Sequence, residues 1–109
     1  MTEVSPERFD DVSVLTRANV YFDGKVVSHT IVLRGGAKKT LGVILPGSFH
    51  FSTGSPERMD IVLGTCRVKL ADESAWKTYE AGTHFLVAAS SAFDIAVDAG
   101  HVEYVCSFG

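Results

Sequence analysis

Apolar and polar residues alternate one for one along most of this chain, and a turn signal breaks the alternation about every ten residues, the spacing of a sandwich or barrel. A side-chain period of two puts successive residues on opposite faces of a strand, so each run buries one face and wets the other. Leu41, Val43 and Leu45 share one parity, which continues past Pro46-Gly47 into Phe49 and Phe51. Thr40, Gly42, His50 and Ser52 take the other, and Ile44 breaks the rule. Met59, Ile61 and Leu63 form a second run, Cys66, Val68 and Leu70 a third, and Phe93, Ile95 and Val97 a fourth. Val102, Tyr104, Cys106 and Phe108 close the chain, while "KVVSHTIVL" leads into the Gly35-Gly36 turn. Helical spacing is hardly visible, and the expected fold class is all-β.

At 109 residues the chain has the length of one domain with a real core. Residues 1–18 stand apart as an N-terminal extension, where "SPER" offers Ser5 as a helix N-cap and Pro6 as the first helical position. A short helix or a loose arm fits, and the β-domain is expected over residues 19–109. A net charge of −3 offers no basic face to a nucleic-acid backbone. The first residues lack a basic start followed by an apolar run, and no later stretch approaches the roughly 20 apolar residues that cross a bilayer. The expectation is a cytoplasmic protein with neither a membrane nor a nucleic acid as partner. Cys66 and Cys106 each sit in an apolar run without a CxxC, so buried reduced thiols are expected.

The stretch "FHFSTGSPERMDIVLG", Phe49 to Gly64, resembles in its spacing the first metal-binding motif of cupin barrels, since six residues separate Glu57 from Gly64. A second stretch resembles the partner motif: Gly82, five residues, Ala88-x-Ser90, two residues, Phe93. The resemblance implies a single cupin-type β-barrel, or jelly roll. Two registers fit the first motif, His50-x-Ser52 or Phe51-x-Thr53, and alternation chooses between them. An inward ligand must share the apolar face of Phe49 and Phe51, which turns His50 outward. The ligand positions then read Phe51, Thr53, Glu57 and Phe93. One carboxylate does not make a transition-metal site, which takes three or more N, O or S ligands. Two phenyl rings, a hydroxyl and a carboxylate suit an organic ligand with a flat face and hydroxyl groups. His50 and Glu57 in the other register would instead belong to a metal-dependent enzyme.

"NVYFDGKV", "TLGVILPGSFHFSTGSPERMDIVLG", "WKTYEAGTHFLV" and the ending "YVCSFG" together resemble the small cupin family of pyrimidine/purine nucleoside phosphorylases, from about Asn19 to Gly109. The N-terminal extension lies outside that likeness, and Ala88 stands where proline is common. The resemblance implies phosphorolysis of nucleosides to free base and pentose 1-phosphate with broad tolerance for the base. It also implies a homodimer, no metal, and no cofactor beyond inorganic phosphate as co-substrate.

That chemistry passes through a cation-like sugar, so the protein must hold phosphate beside the anomeric carbon, stabilise the sugar and ease departure of the base. Glu57 is the candidate for the sugar, against the competing reading of a solvated turn residue. Phe51 and Phe93 are candidates to sandwich the base, because every base presents a π-face; ordinary core packing is the alternative for both. Lys38 and Lys39 in "GGAKKT" are the phosphate candidates, supported by Thr53, with a merely solvated loop as the alternative. Tyr104 has inward parity and supplies a further hydroxyl. Arg58 has outward parity, and Trp76 reads as a packing or dimer residue. A cupin that binds a small molecule without turning it over fits the same residues.

Overall fold

The computed structural model describes residues 6–109. Eleven strands form in chain order: β1 (Ser13–Val14), β2 (Asn19–Tyr21), β3 (Val26–Val32), β4 (Lys38–Ile44), β5 (Gly47–Ser52), β6 (Glu57–Leu63), β7 (Thr65–Leu70), β8 (Lys77–Glu80), β9 (His84–Val87), β10 (Ala92–Val97) and β11 (Val102–Phe108). A single 3-10 turn, Phe22–Gly24, separates β2 from β3. The all-β expectation is met, and the period-two runs are the strands themselves.

The strands divide into two antiparallel sheets. One has the order β1-β3-β4-β11-β6-β9, with β2 also pairing along the β3 edge, and the other has the order β5-β10-β7-β8. The inner faces share one core, to which the large sheet brings Val26, Ile44, Met59, Ile61 and Val102, and the small sheet Phe49, Val68, Phe93 and Ile95. The arrangement is a cupin-like sandwich, since no ladder among the described residues joins the two sheets into a closed barrel. Burying branched and aromatic side chains at about 25 cal/mol per Å² is what drives the two faces together. Gly64, at the turn from β6 to β7, has φ +88° and carries the His101 carbonyl where a side chain would stand, so the motif glycine is a backbone requirement.

Parity differs from the sequence reading on one strand. On β4 the buried residues are Gly42 and Ile44, while Leu41, Val43 and Leu45 keep 36%, 37% and 41% of their surface exposed. The strands on either side of Pro46-Gly47 belong to different sheets, so parity does not pass through that turn. On β5 the expected parity holds, with Phe49 buried and His50 exposed. The outer face of β4 is partly covered by the leading segment: Phe9, Val12 and Val14 share a groove with Leu41, Val43 and Val62. The Ser5 cap lies outside the described residues. From residue 6 to 18 there is no helix, and Ser13–Val14 pairs with Ile31–Val32 of β3.

Candidate functional site

Between the sheets lies a cavity of about 190 Å³. One wall is aromatic. Phe51 of β5 and Phe93 of β10 are direct cross-strand partners, which sets their rings 5.5 Å apart between centroids and 21° from parallel. Tyr21 presents its edge to Phe51 at 6.2 Å, and Phe85 backs Phe93 edge-on at 5.4 Å. The sandwich geometry anticipated for Phe51 and Phe93 is corrected here. Rings already in offset stacking contact leave no slot between them, so they form one continuous wall against which a flat group lies on one side only.

The opposite wall is polar and comes from β3, β4, β11 and β6. Gly42 pairs with Ser28 on one side and Tyr104 on the other. A Cβ at Gly42 would overlap the Tyr104 ring, so glycine creates the slot in which that ring lies across β4. The Tyr104 hydroxyl hydrogen-bonds Ser28, and burial pushes the phenol up to about 12. Glu57 opens β6, opposite Phe108 of β11 and Val87 of β9. Partial burial raises its carboxyl above the usual glutamate value of 4.5, and a hydrogen bond from Cys106 opposes that rise. Cys106 Sγ lies 3.5 Å from Glu57 Oε1. Burial and the neighbouring carboxylate push that thiol far up, so it is a protonated donor and not a nucleophile.

Four of the sequence candidates therefore meet on one cavity: Phe51, Phe93, Tyr104 and Glu57. Thr53 lies elsewhere, buried in the turn after β5, where its hydroxyl donates to the Ala88 carbonyl at 2.7 Å and accepts from the Ser91 amide at 3.0 Å. This bond pins the turn in which Ala88 replaces proline. Thr53→Val is expected to cost about 1–3 kcal/mol, read as a lower urea midpoint, because it leaves the partly buried Ser91 amide and the Ala88 carbonyl without their partner. Lys38 starts β4 on the parity of cavity-lining Thr40 and is exposed. Lys39 has the opposite parity, and its Nζ donates to Ser107 Oγ at 2.6 Å.

His50 faces outward as alternation requires, with Nδ1 2.8 Å from Asp94 Oδ1. The register that would bring it beside Glu57 is not adopted. Arg58 also turns away from the cavity and pairs with Asp60 at 3.0 Å. Trp76 is 40% exposed and lies under Arg67, 5.3 Å from ring centroid to guanidinium. Among the described residues, no three of His, Cys, Asp and Glu come together as a metal cage. The sequence reading missed Ser28, Thr40, Cys106 and Phe108 as cavity residues. The available signal was the interruption by Gly42 and Ile44, which marks the inner face of β4 as the one carrying Thr40.

The fold and site together are a cupin-like β-sandwich with an intersheet cavity that offers a stacked ring wall, hydroxyls and one carboxylate. The family model for pyrimidine/purine nucleoside phosphorylase matches residues 16–108. Proteins of that name from Dechloromonas aromatica and Thiobacillus denitrificans are 59% and 57% identical over 102 residues, each covering 94% of this chain and 98% of the relative. A solved protein of unknown function from Acinetobacter sp. ADP1 superposes with a TM-score of 0.91 at 45% identity, over 94% of this chain and 98% of its own. Another from Vibrio parahaemolyticus gives 0.79 at 37%, over 87% and 97%. At 11% identity and a TM-score of 0.70, over 99% of this chain and 60% of its own, FeII HppE shares the fold alone. The chain belongs to the pyrimidine/purine nucleoside phosphorylase family.

Proposed function

We propose that this protein is a broad-specificity pentosyltransferase, splitting purine and pyrimidine nucleosides with inorganic phosphate into free base and pentose 1-phosphate. The observation that carries this reading is one cavity in which the Phe51–Phe93 wall and the Glu57 carboxylate face a shared space. The base lies on the ring wall, and stacking tolerates any base because it reads area and not edge hydrogen bonds. The sugar lies toward β6 and β11, where ionised Glu57 faces the positive charge that develops as the glycosidic bond lengthens. Tyr104, Ser28 and Thr40 supply hydroxyls to the sugar oxygens. The phosphate oxygen attacks the anomeric carbon, the electron pair of the broken C–N bond leaves with the base, and the base nitrogen takes up the proton that hydrogen phosphate gives up.

Phosphate requires a cation, and no lysine, arginine or histidine lines the cavity among the described residues. Lys38, exposed at the start of β4 two residues before cavity-lining Thr40, is the group this reading assigns to the phosphate. Lys38→Ala is expected to raise KM for phosphate about tenfold while leaving KM for uridine within about twofold, as measured by initial rates over both substrates. The same reading takes the enzyme as metal-independent, cytoplasmic and homodimeric. The surface that Leu41, Val43 and Val62 keep exposed beyond the partial cover of the leading segment supports the dimer by extending an apolar face.

The test is release of uracil from uridine by purified protein in EDTA, with and without phosphate. Release that requires phosphate and ignores EDTA is the expected result. Cleavage without phosphate would make the protein a hydrolase, and tight nucleoside binding without turnover would make it a binding module.

A further inference from the structure

Three hydrogen-bonding groups from three neighbouring strands run toward the cavity in a line. Thr40 of β4 and Cys106 of β11 are direct cross-strand partners, and Cys106 pairs with Met59 of β6, two residues on from Glu57. Thr40 hydrogen-bonds the Cys106 sulfur, and the Cys106 thiol lies 3.5 Å from Glu57 Oε1. We infer that Cys106 is a positioning residue of the proposed phosphorylase, aiming the Glu57 carboxylate across the cavity through a Thr40–Cys106–Glu57 relay. The inference rests on Glu57 being the sugar-facing group.

The relay has a direction. Cys106 is only 4% exposed and stays protonated, so its S–H donates and the carboxylate accepts. A donor to an ionised carboxylate favours the charged form, which is the form that meets a cation-like sugar. The Cys106 side chain thus opposes, from behind, the larger effect of burial that makes Glu57 harder to ionise. Other titratable groups near Glu57 do not replace this. Tyr104 on β11 is a raised phenol bonded to Ser28, and Tyr21 on β2 packs edge-on to Phe51. Lys39 on β4 is engaged with Ser107, Arg58 on β6 is turned toward Asp60, and β9 places apolar Val87 opposite. Cys106 is the side-chain donor that reaches the carboxylate.

The experiment compares Cys106→Ala and Cys106→Ser with wild type by carbon NMR titration of the Glu57 carboxyl in the free protein, its signal identified by its loss in Glu57→Gln. Removing the donor raises the Glu57 midpoint, expected by about 0.5–1 pH unit in Cys106→Ala, and the serine hydroxyl returns it to the wild-type value or lower. The acidic limb of kcat/KM for uridine phosphorolysis moves by the same amount and in the same direction. Equal Glu57 midpoints in all three folded proteins, checked by near-ultraviolet circular dichroism, overturn the relay whatever the activity. Shifted midpoints in a protein that cleaves no nucleoside uphold the Cys106–Glu57 coupling and refute the phosphorylase reading alone. A moved midpoint with an unmoved acidic limb overturns the catalytic role of the relay.

Discussion

Glutamine in place of Glu57 is expected to lower kcat/KM for phosphate-dependent uridine cleavage by about 100- to 1,000-fold, equivalent to ~2.7–4 kcal/mol of transition-state stabilisation. The amide keeps the volume and the cross-strand position opposite Phe108, but not the charge. What is lost is an interaction that strengthens as the sugar becomes cationic, so the loss falls on kcat, with KM for uridine changing by less than about threefold. Steady-state kinetics at saturating phosphate reads the split. An unchanged kcat would move the chemistry to another group in the cavity. The same variant carries a stability signature with a definite sign. Burial raises the native Glu57 carboxyl above 4.5, so folding favours its protonated form. That contribution is fully present below the ordinary glutamate value and is lost as pH rises through the raised native one. Glu57→Gln should therefore melt above wild type at about pH 8, with the gap closing toward about pH 5. The site gives up stability for function, and differential scanning calorimetry at the two pH values detects it.

The second large effect is expected at Gly42. Gly42→Ala drives a methyl group into the Tyr104 ring, which is 8% exposed, bonded to Ser28 and unable to swing aside without opening the core. Overpacking of this kind costs about 3 kcal/mol, or a melting temperature lower by roughly 10–20 °C in a domain of this size. A double-mutant cycle identifies the cause. In a Tyr104→Ala background the same Gly42→Ala change should cost less than about 1 kcal/mol, because the ring it strikes is gone. A full cost in both backgrounds would mean that the strand needs glycine for its own backbone.

Most of the fold was legible because a strand with one buried face advertises that face residue by residue. Phe93, Ile95 and Val97 or Cys66 and Val68 read correctly, being inward, apolar and packed. The alternation misled on β4 because its inner face serves the cavity. Thr40 is polar there because it bonds Cys106, and Gly42 is small because Tyr104 occupies its space. The outward residues of β4 are apolar because Phe9, Val12 and Val14 come across them, a contact between segments far apart in the chain. Of the candidate site, Glu57, Phe51, Phe93 and Tyr104 were readable from spacing and parity, and they converge. Thr53 was readable as an inward hydroxyl, but its use by the Ala88 and Ser91 backbone depends on a turn 35 residues away. Lys38 and Lys39 looked equivalent as neighbours, and only the pairing of β4 with β11 separates them.

A cavity whose ionisable lining groups are a carboxyl, a thiol and phenols, with no cation among its described residues, also acts on what reaches it from the cell. Carrying a 5′-phosphate into such a space removes two negative charges from water and sets them near a carboxylate, an unfavourable exchange that a neutral nucleoside avoids. On the proposed reading inorganic phosphate meets the same opposition, so it is held at exposed Lys38, outside that lining, while the neutral nucleoside enters it.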